Sequence, residues 1–320
     1  MPEAMDIARN ADLRGRTILI TGGSSGLGAE TARALAQTGA DIIITARNME
    51  SGAGVLEELR SIGAGRAALI PLDLSSFADV ERVAGEVRDI APTLDVMICN
   101  AGVSQTPTDR LPNGLDVRFA TNHLGHFLLA HRLHDRMAER GARIVVLSSA
   151  GHKSRPLRLD DLGWRKREID FRAAYGESKT ANALFAVEAT RRWHAQGIFA
   201  NAVLPGSVMT GLQRHHSPER IAEMYALGRQ ATGESVFGTV GQGAATSVWA
   251  ATSPDLERVG GLVLEDCGLC RIAGPGIHLW RGYELHATDS ETARILWTGS
   301  VDILRALGFD PEPTAEREPA

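Results

Sequence analysis

Apolar residues along this chain fall into two alternating rhythms. Short unbroken runs of aliphatic residues, Thr17-Ile18-Leu19-Ile20-Thr21 first among them, have the length and β-branched content of strands buried on both faces. Between the runs, apolar residues recur every three or four positions, as in Val55/Leu56/Leu59/Ile62 and Phe77/Val80/Val83/Val87, the period of an amphipathic helix. The runs predict seven strands, at 17–21, 41–45, 66–72, 94–99, 143–149, 199–204 and 261–265. Strands alternating with helices imply right-handed crossovers and a parallel sheet covered on both faces. No break in composition interrupts residues 15–305, so one α/β domain is expected, after a polar N-terminal arm (1–14) and before a Pro/Glu-rich flexible tail (306–320).

Composition narrows the function classes. The 320 residues, 43% apolar and 23% charged, are those of an ordinary globular protein, and a net charge of -5 argues against nucleic-acid binding. No apolar run approaches the ~18 residues of a membrane span. The start, Met1-Pro2-Glu3-Ala4-Met5-Asp6, lacks the basic and apolar regions of a secretory signal, so a cytoplasmic location is expected. Three scattered cysteines, Cys99, Cys267 and Cys270, fit a reducing compartment rather than a disulfide scaffold.

Two patterns carry candidate chemistry. The first strand runs into Thr21-Gly22-Gly23-Ser24-Ser25-Gly26-Leu27-Gly28, after which Leu27, Thr31, Ala34 and Leu35 mark a helical face. The glycines therefore sit at a strand-to-helix turn, where they permit positive φ and let the backbone approach a pyrophosphate at the helix N-terminus. The second pattern is Tyr175-Gly176-Glu177-Ser178-Lys179. Residues four apart leave the same helical face. A phenol titrates near ~10, so at neutral pH it serves as acid or base only with a fixed cation nearby. Lys179 can be that cation, and it is one of only three lysines, with Lys153 and Lys166. A compact ammonium suits this task where a guanidinium fork does not.

Five motifs then occur in a recognisable order: Thr21-Gly-x-x-x-Gly-x-Gly28, Asn100-Ala101-Gly102 after the fourth strand, Ser149 closing the fifth, Tyr175-x-x-x-Lys179, and Pro205-Gly206 after the sixth. Over residues 15–305 the chain resembles the short-chain dehydrogenase/reductase family. Thr121-Asn122-His123-Leu124-Gly125-His126-Phe127, Asp160-Asp161-Leu162 in the long gap before Tyr175, Asn182, Leu184-Phe185 and Glu265-Asp266-Cys267 are similar to its retinol-dehydrogenase and protochlorophyllide-reductase-like branch. The resemblance implies a doubly wound Rossmann domain with a parallel seven-stranded sheet, order 3-2-1-4-5-6-7. It also implies NADPH-linked carbonyl reduction or alcohol oxidation on hydrophobic substrates, and pairing into homodimers or homotetramers.

A carbonyl accepts hydride only if the charge developing on its oxygen is stabilised and then protonated. By resemblance, Ser149 hydrogen-bonds that oxygen and Tyr175 supplies the proton. Lys179 lowers the phenol's pKa and binds the nicotinamide ribose. Asn122, in the middle of a helix starting near Asn113, holds a water that links Lys179 to solvent. In alcohol oxidation Tyr175 is the base. Ser149 is favoured over Ser148 as the second of the pair, and strand alternation points Ser148 to the other face.

Cofactor contacts are implied at Gly22, Ser24, Ser25, Gly26, Leu27, Gly28, Asn100, Ala101, Gly102, Tyr175 and Lys179. Pro205, Gly206, Val208 and Thr210 match the loop over the carboxamide, and Pro205 also reads as a plain strand terminator. At the end of the second strand, Thr45-Ala46-Arg47-Asn48 offers an arginine and no carboxylate. A guanidinium can pair with a 2'-phosphate, which favours NADP(H) over NAD, although Arg47 also reads as an ordinary exposed arginine. Asp73, beside Leu74, matches the position that accepts from the adenine amine, or serves only as the N-cap of the next helix.

Substrate contacts are expected from His152, Leu157 and Trp164 in the insert, from Met209, Leu212, Met224, Tyr225 and Phe237 in a lid at 206–243, and from Trp280 and Tyr283. These are mostly apolar, as small-molecule pockets tend to be. The Gly/Ser/Thr-rich stretch 228–243 is expected to order on binding. His123, His126, His131 and His134 are not read as a metal site, because no carboxylate or cysteine completes a ligand set. Cys267-x-x-Cys270 trails a strand instead of opening a helix, and reads as two free thiols. Rival functions are an NAD-linked dehydrogenase working oxidatively, a cofactor-sensing protein without catalysis, and a sugar-nucleotide epimerase. The last carries a differently spaced glycine turn.

Overall fold

The computed structural model describes residues 2–137, 141–232 and 237–312, without the side chains of residues 228–232. Helix α1 (Ala4–Ala8) precedes β1 (Thr17–Ile20), α2 (Gly26–Ala36), β2 (Asp41–Ala46), α3 (Met49–Ile62), β3 (Ala67–Pro71), α4 (Phe77–Ile90) and β4 (Val96–Cys99). A continuous helical stretch follows, made of α5 (Val117–Phe119), a π-helical turn (Ala120–Leu124) and α6 (Gly125–Leu133). Next come β5 (Ala142–Leu147), α7 (Phe171–Trp193), β6 (Ile198–Leu204), α8 (Pro218–Thr232), α9 (Val240–Thr252), β7 (Val263–Glu265), β8 (Gly268–Leu269) and α10 (Ser290–Ala306).

The strands form one sheet in the order β3-β2-β1-β4-β5-β6-β7-β8. Side-chain alternation divides each strand between two cores. Ile18 and Ile20 face the core of α1, α2, α3 and α9, whereas Leu19 faces that of α4, α6, α7 and α10. The sheet thus has helices on both faces, and its order reverses between β1 and β4.

The expected parallel sheet of seven strands is extended by one. Gly268–Leu269 turns back antiparallel on β7, with Leu264 opposite Leu269. Asp266 and Cys267 at the tip have φ of 52 and 56, the pair of positive angles that a two-residue hairpin turn needs. Asp-Cys lacks the glycine that normally announces such a turn, so the hairpin left no sequence signal.

Three other expectations are refined. The polar N-terminal arm carries a short helix that docks on the fold: Ala4 and Ala8 are buried, and the Gln37 amide donates to Met5 O at 2.6 Å. The tail packs as far as residue 312, where Glu312 accepts from Trp297 Nε1 at 2.9 Å, and residues 313–320 lie outside the described residues. The helix carrying Asn122 starts at Val117, not near Asn113, because Asp116 caps it with bonds from the N–H groups of Arg118 (2.9 Å) and Phe119 (3.0 Å). Within the lid segment, α8 is described, while 233–236 and the side chains of 228–232 are not. No helix among the described residues is long and apolar enough to cross a membrane.

Candidate active site

The site forms where the strand order reverses, at the carboxyl ends of β1 and β4. Thr21 follows β1 directly, and its Oγ1 accepts the N–H groups of Asn100 and Ala101 at 3.0 Å each. In return Asn100 Nδ2 donates to Thr21 O at 2.8 Å. The glycine turn and the turn after β4 are therefore stitched together. A Cβ on Gly28 would lie 2.3 Å from Gly22 O and 2.4 Å from Asn100 Nδ2, so no side chain fits there. Ser25 does not cap α2 with its side chain, and the first-turn N–H groups of that helix are available to an anion.

A cleft of about 510 Å³ opens over these turns. Every cofactor contact read from the sequence lines it except Gly206 and Val208. Val208 is buried and approaches Gly243 so closely that a Cβ there would lie 2.6 Å away. Thr210 instead reaches over the turn: a Cβ on Gly26 would meet its side chain at 3.4 Å. Arg47 is exposed in the cleft wall and has no hydrogen bond or ion pair with other described residues. Asn48 turns its Oδ1 to Ser51 N (2.9 Å) and caps α3. Asp73 Oδ1 takes Ser75 N at 2.9 Å and Ser75 Oγ at 2.7 Å, while the cap of α4 is Ser76.

Sequence reasoning missed several walls, among them Thr45, Ser51, Thr121 and Arg214. Arg214 follows a short 3-10 turn whose N-cap is Thr210, and its guanidinium donates to Gly211 O at 2.7 Å. Arg214 had no signal of its own in a chain rich in arginine. Thr21 had one, a hydroxyl at the end of a strand that enters a glycine turn.

The long helix α7 is buried along most of its length, and it carries Tyr175 and Lys179 to the cleft wall. The Tyr175 ring lies beside the Ser149 side chain, since a Cβ built on Gly151 would meet Tyr175 Cε1 at 3.1 Å and Ser149 Oγ at 3.4 Å, and Ser149 Oγ accepts from Gly151 N at 3.1 Å. Ser148 lines the cleft and its Oγ donates to Lys179 O at 2.7 Å. The Lys179 ammonium donates to Leu147 O at 2.9 Å and lies 5.7 Å from the centre of the Tyr175 ring.

Burial pushes the Tyr175 phenol above its usual range, and the neighbouring Ser149 hydroxyl offsets this in part. In the protein alone desolvation of the phenolate sets the direction, and Lys179, held on Leu147 O, is not among the groups that offset it. Burial also brings Lys179 down to about 8, against an opposing pull from Cys99. Asn122 sits in the π-helical turn, marked by the Gly125 N–H bonding back to Ala120 O. Its Oδ1 accepts from Val103 N (2.8 Å), while Nδ2 donates to Val103 O and Ser178 Oγ at 2.9 Å each.

The substrate expectations fare differently. Tyr175 and Leu212 line the cleft, but Ser149, His152, Trp164 and Met209 do not, and it is the neighbouring Ser148 that appears in the wall. His152 is buried with both ring nitrogens engaged by the protein. Trp164 is buried beneath the Arg167 guanidinium, 3.7 Å from its ring centre. Both side chains brace the insert, because apolar bulk there finds the core before it finds a ligand. Tyr225, Phe237 and Trp280 do gather, with ring centres 4.6 Å and 5.8 Å apart along the row. His123 and His131 pack among Phe127, Trp193 and Trp297 as core residues.

A family model described as short chain dehydrogenase matches residues 16–160. A probable oxidoreductase of Streptomyces lividans is 43% identical over 299 residues, 92% of this chain and 99% of that protein. Human retinol dehydrogenase 14 is 36% identical over 83% of each chain. Among solved structures, an uncharacterized protein from Mycobacterium paratuberculosis aligns with a TM-score of 0.69 at 30% identity, over 93% of this chain and 97% of its own. Sequence likeness over nearly the full length, joined to this sheet order and glycine turn, means that the chain belongs to the short-chain dehydrogenase/reductase family of oxidoreductases, in its retinol-dehydrogenase-like branch.

Proposed function

We propose that this oxidoreductase uses NADP(H) to interconvert a carbonyl and an alcohol on a bulky hydrophobic small molecule, with ketone or aldehyde reduction the favoured direction. One observation carries the reading: Tyr175, beside Ser149 and with the buried Lys179 one helical turn away, lines the same cleft as the glycine turn. The cleft residues fit a dinucleotide. Gly28 is kept free of any Cβ, the α2 N-terminus is free for phosphate, and the unpartnered Arg47 stands where a 2'-phosphate would need a cation.

When bound, the nicotinamide supplies the hydride in reduction and takes it up in oxidation. Tyr175, held protonated at neutral pH by burial, donates its proton to the substrate oxygen while Ser149 hydrogen-bonds the same atom. Lys179 remains mostly charged below pH 8, and its ammonium orients the ribose and attracts the phenolate that proton donation leaves behind. Asn122, fixed by Val103 and Ser178, holds the path along which the proton is replaced. Leu212 supplies apolar wall of the cleft, and the row Tyr225, Phe237 and Trp280, which is not part of that wall, supplies further apolar surface for a bulky substrate. A cytoplasmic setting completes the proposal.

The test is a panel of ketones, aldehydes and alcohols followed by NADPH absorbance, with Tyr175→Phe beside the wild type. The variant should bind NADPH normally and turn over at least about 1,000-fold more slowly. Near-normal turnover by the variant would overturn the mechanism.

A further inference from the structure

Two buried imidazoles make the same pair of bonds in different places. His126 Nδ1 meets Asn122 O at 3.0 Å, and its Nε2 meets Thr21 Oγ1 at 2.8 Å. His152 Nδ1 meets Ser149 O at 2.6 Å, and its Nε2 accepts the Glu284 N–H at 3.1 Å. Each ring is about 1% exposed.

The partners settle the proton positions. A carbonyl only accepts, so Nδ1 carries the hydrogen in both rings. The Glu284 N–H only donates, so His152 Nε2 carries none. At His126 the Thr21 hydroxyl already accepts two N–H groups, from Asn100 and Ala101. Its own proton has two acceptors in reach, Ile98 O at 3.3 Å and His126 Nε2 at 2.8 Å, and the shorter contact is the one to Nε2. A bond from Nδ1 to a carbonyl one turn back is ordinary for a helical histidine, and His131 makes one to Phe127 O at 2.8 Å. What sets His126 and His152 apart is the second hydrogen bond to a separate element: His131 Nε2 has Glu312 Oε1 at 3.7 Å, beyond hydrogen-bond distance.

We propose that His126 and His152 are positioning residues: each is a neutral Nδ1–H imidazole that holds the main-chain carbonyl of a catalytic residue and ties it to another part of the fold. His126 joins the π-helical turn of Asn122 to the glycine turn, and so couples the proton path to the cofactor cradle. His152 joins the Ser149 turn to the segment before α10. Burial keeps both rings neutral, each pushed down to about 4. The charges facing them are Lys179 and His123 for His126, and His286, Glu284 and Lys153 for His152.

The inference rests on the carbonyl-reductase reading for its kinetic arm, but not for its spectroscopic one. Long-range proton–nitrogen correlation on protein labelled with ¹⁵N-histidine should show both rings as neutral Nδ1–H tautomers at pH 7. His126→Phe and His152→Phe, checked for folding by thermal melts, should each lose about 100-fold in kcat. An asparagine amide superposes on Nδ1 and a glutamine amide on Nε2, so the two half-replacements divide the roles. His126→Asn should recover at least about tenfold of kcat over the Phe variant, and His126→Gln should recover NADPH affinity instead, read by fluorescence titration. An Nε2–H or charged ring at either site overturns that site's assignment, as does a folded Phe variant with kcat within about twofold of wild type. Failure of every carbonyl in the panel would sink the functional reading while leaving the tautomer result standing.

Discussion

The glycine turn after β1 and the segment that follows β7 both bear on the site, and they are built by opposite means. The turn is defined by main chain: Gly28 faces Gly22 O and Asn100 with no room for a Cβ, and Thr21 and Asn100 exchange bonds across the switch point. The later segment is held by side chains reaching far along the chain. Lys153 Nζ donates to the carbonyls of Leu279 and Arg281, the Ser154 N–H to Glu284, and Glu284 N–H to His152. A backbone device admits one residue type per position, whereas a web of side-chain bonds can be rebuilt with other residues. The first should break all at once when altered, and the second should weaken by degrees.

The largest effect is expected from Gly28→Val. The added side chain must displace Gly22 O or Asn100, at 2.3 Å and 2.4 Å from its Cβ. NADPH affinity should fall by roughly 100-fold or more, since overpacking a fixed backbone costs about 3 kcal/mol. Gly274→Ala, where nothing lies within 4 Å, should leave that affinity within about twofold by titration. Equal losses in the two variants would erase the contrast.

Next comes Lys179→Met, which separates activity from stability. Turnover should drop by about 1,000-fold. Stability to denaturant should nevertheless rise, because the folded protein holds Lys179 at about 8 against an ordinary 10.5, a cost of roughly 3 kcal/mol in neutral solution. Leu147 O keeps its bond from Asn182 Nδ2 at 2.9 Å, so no buried carbonyl is orphaned. The sign follows from proton uptake: between about 8 and 10.5 the unfolded chain holds the proton and the folded one does not, so wild-type stability climbs with pH there. The variant's advantage is therefore full below pH 8 and closes across that window. Wild-type reduction should slow above pH 8 as the ammonium discharges.

These contrasts explain what could be read from sequence alone. Strand runs, the glycine turn and the Tyr175/Lys179 spacing were legible because each follows from a rule of local geometry. The antiparallel β8 was not, since its turn is Asp266-Cys267 with no glycine. Nor were the positions of His152 and Trp164, whose bulk suggested a pocket and which fill the base of the insert instead. Asn48 and Asp73 were placed at the cleft, yet their side-chain oxygens go to nearby serines. The sign of the Tyr175 shift depends on burial, which a spacing does not record.

Arg47→Asp is expected to act more mildly. It removes the unpartnered cation of the cleft wall and adds a carboxylate that repels a 2'-phosphate. Relative kcat/KM for NADPH over NADH should fall by about 10- to 100-fold, with turnover at saturation little changed. An unaltered ratio would shift the 2'-phosphate contact to Arg214, the other arginine of the cleft.

The smallest effect, and the one that tests the second region most directly, is Lys153→Met. The ammonium donates to two carbonyls, Leu279 O and Arg281 O, the latter at 2.7 Å, and thereby holds the chain beside Trp280 against the turn that carries Ser149. Those carbonyls are near enough to solvent for water to replace the donor, so the loss is about 1–2 kcal/mol rather than that of a buried orphan. Substrate kcat/KM should fall by roughly tenfold, NADPH affinity should not move, and limited proteolysis should cut faster between 266 and 286. An equal fall in cofactor affinity would mean that this web also supports the glycine turn, and the two regions would then be one device.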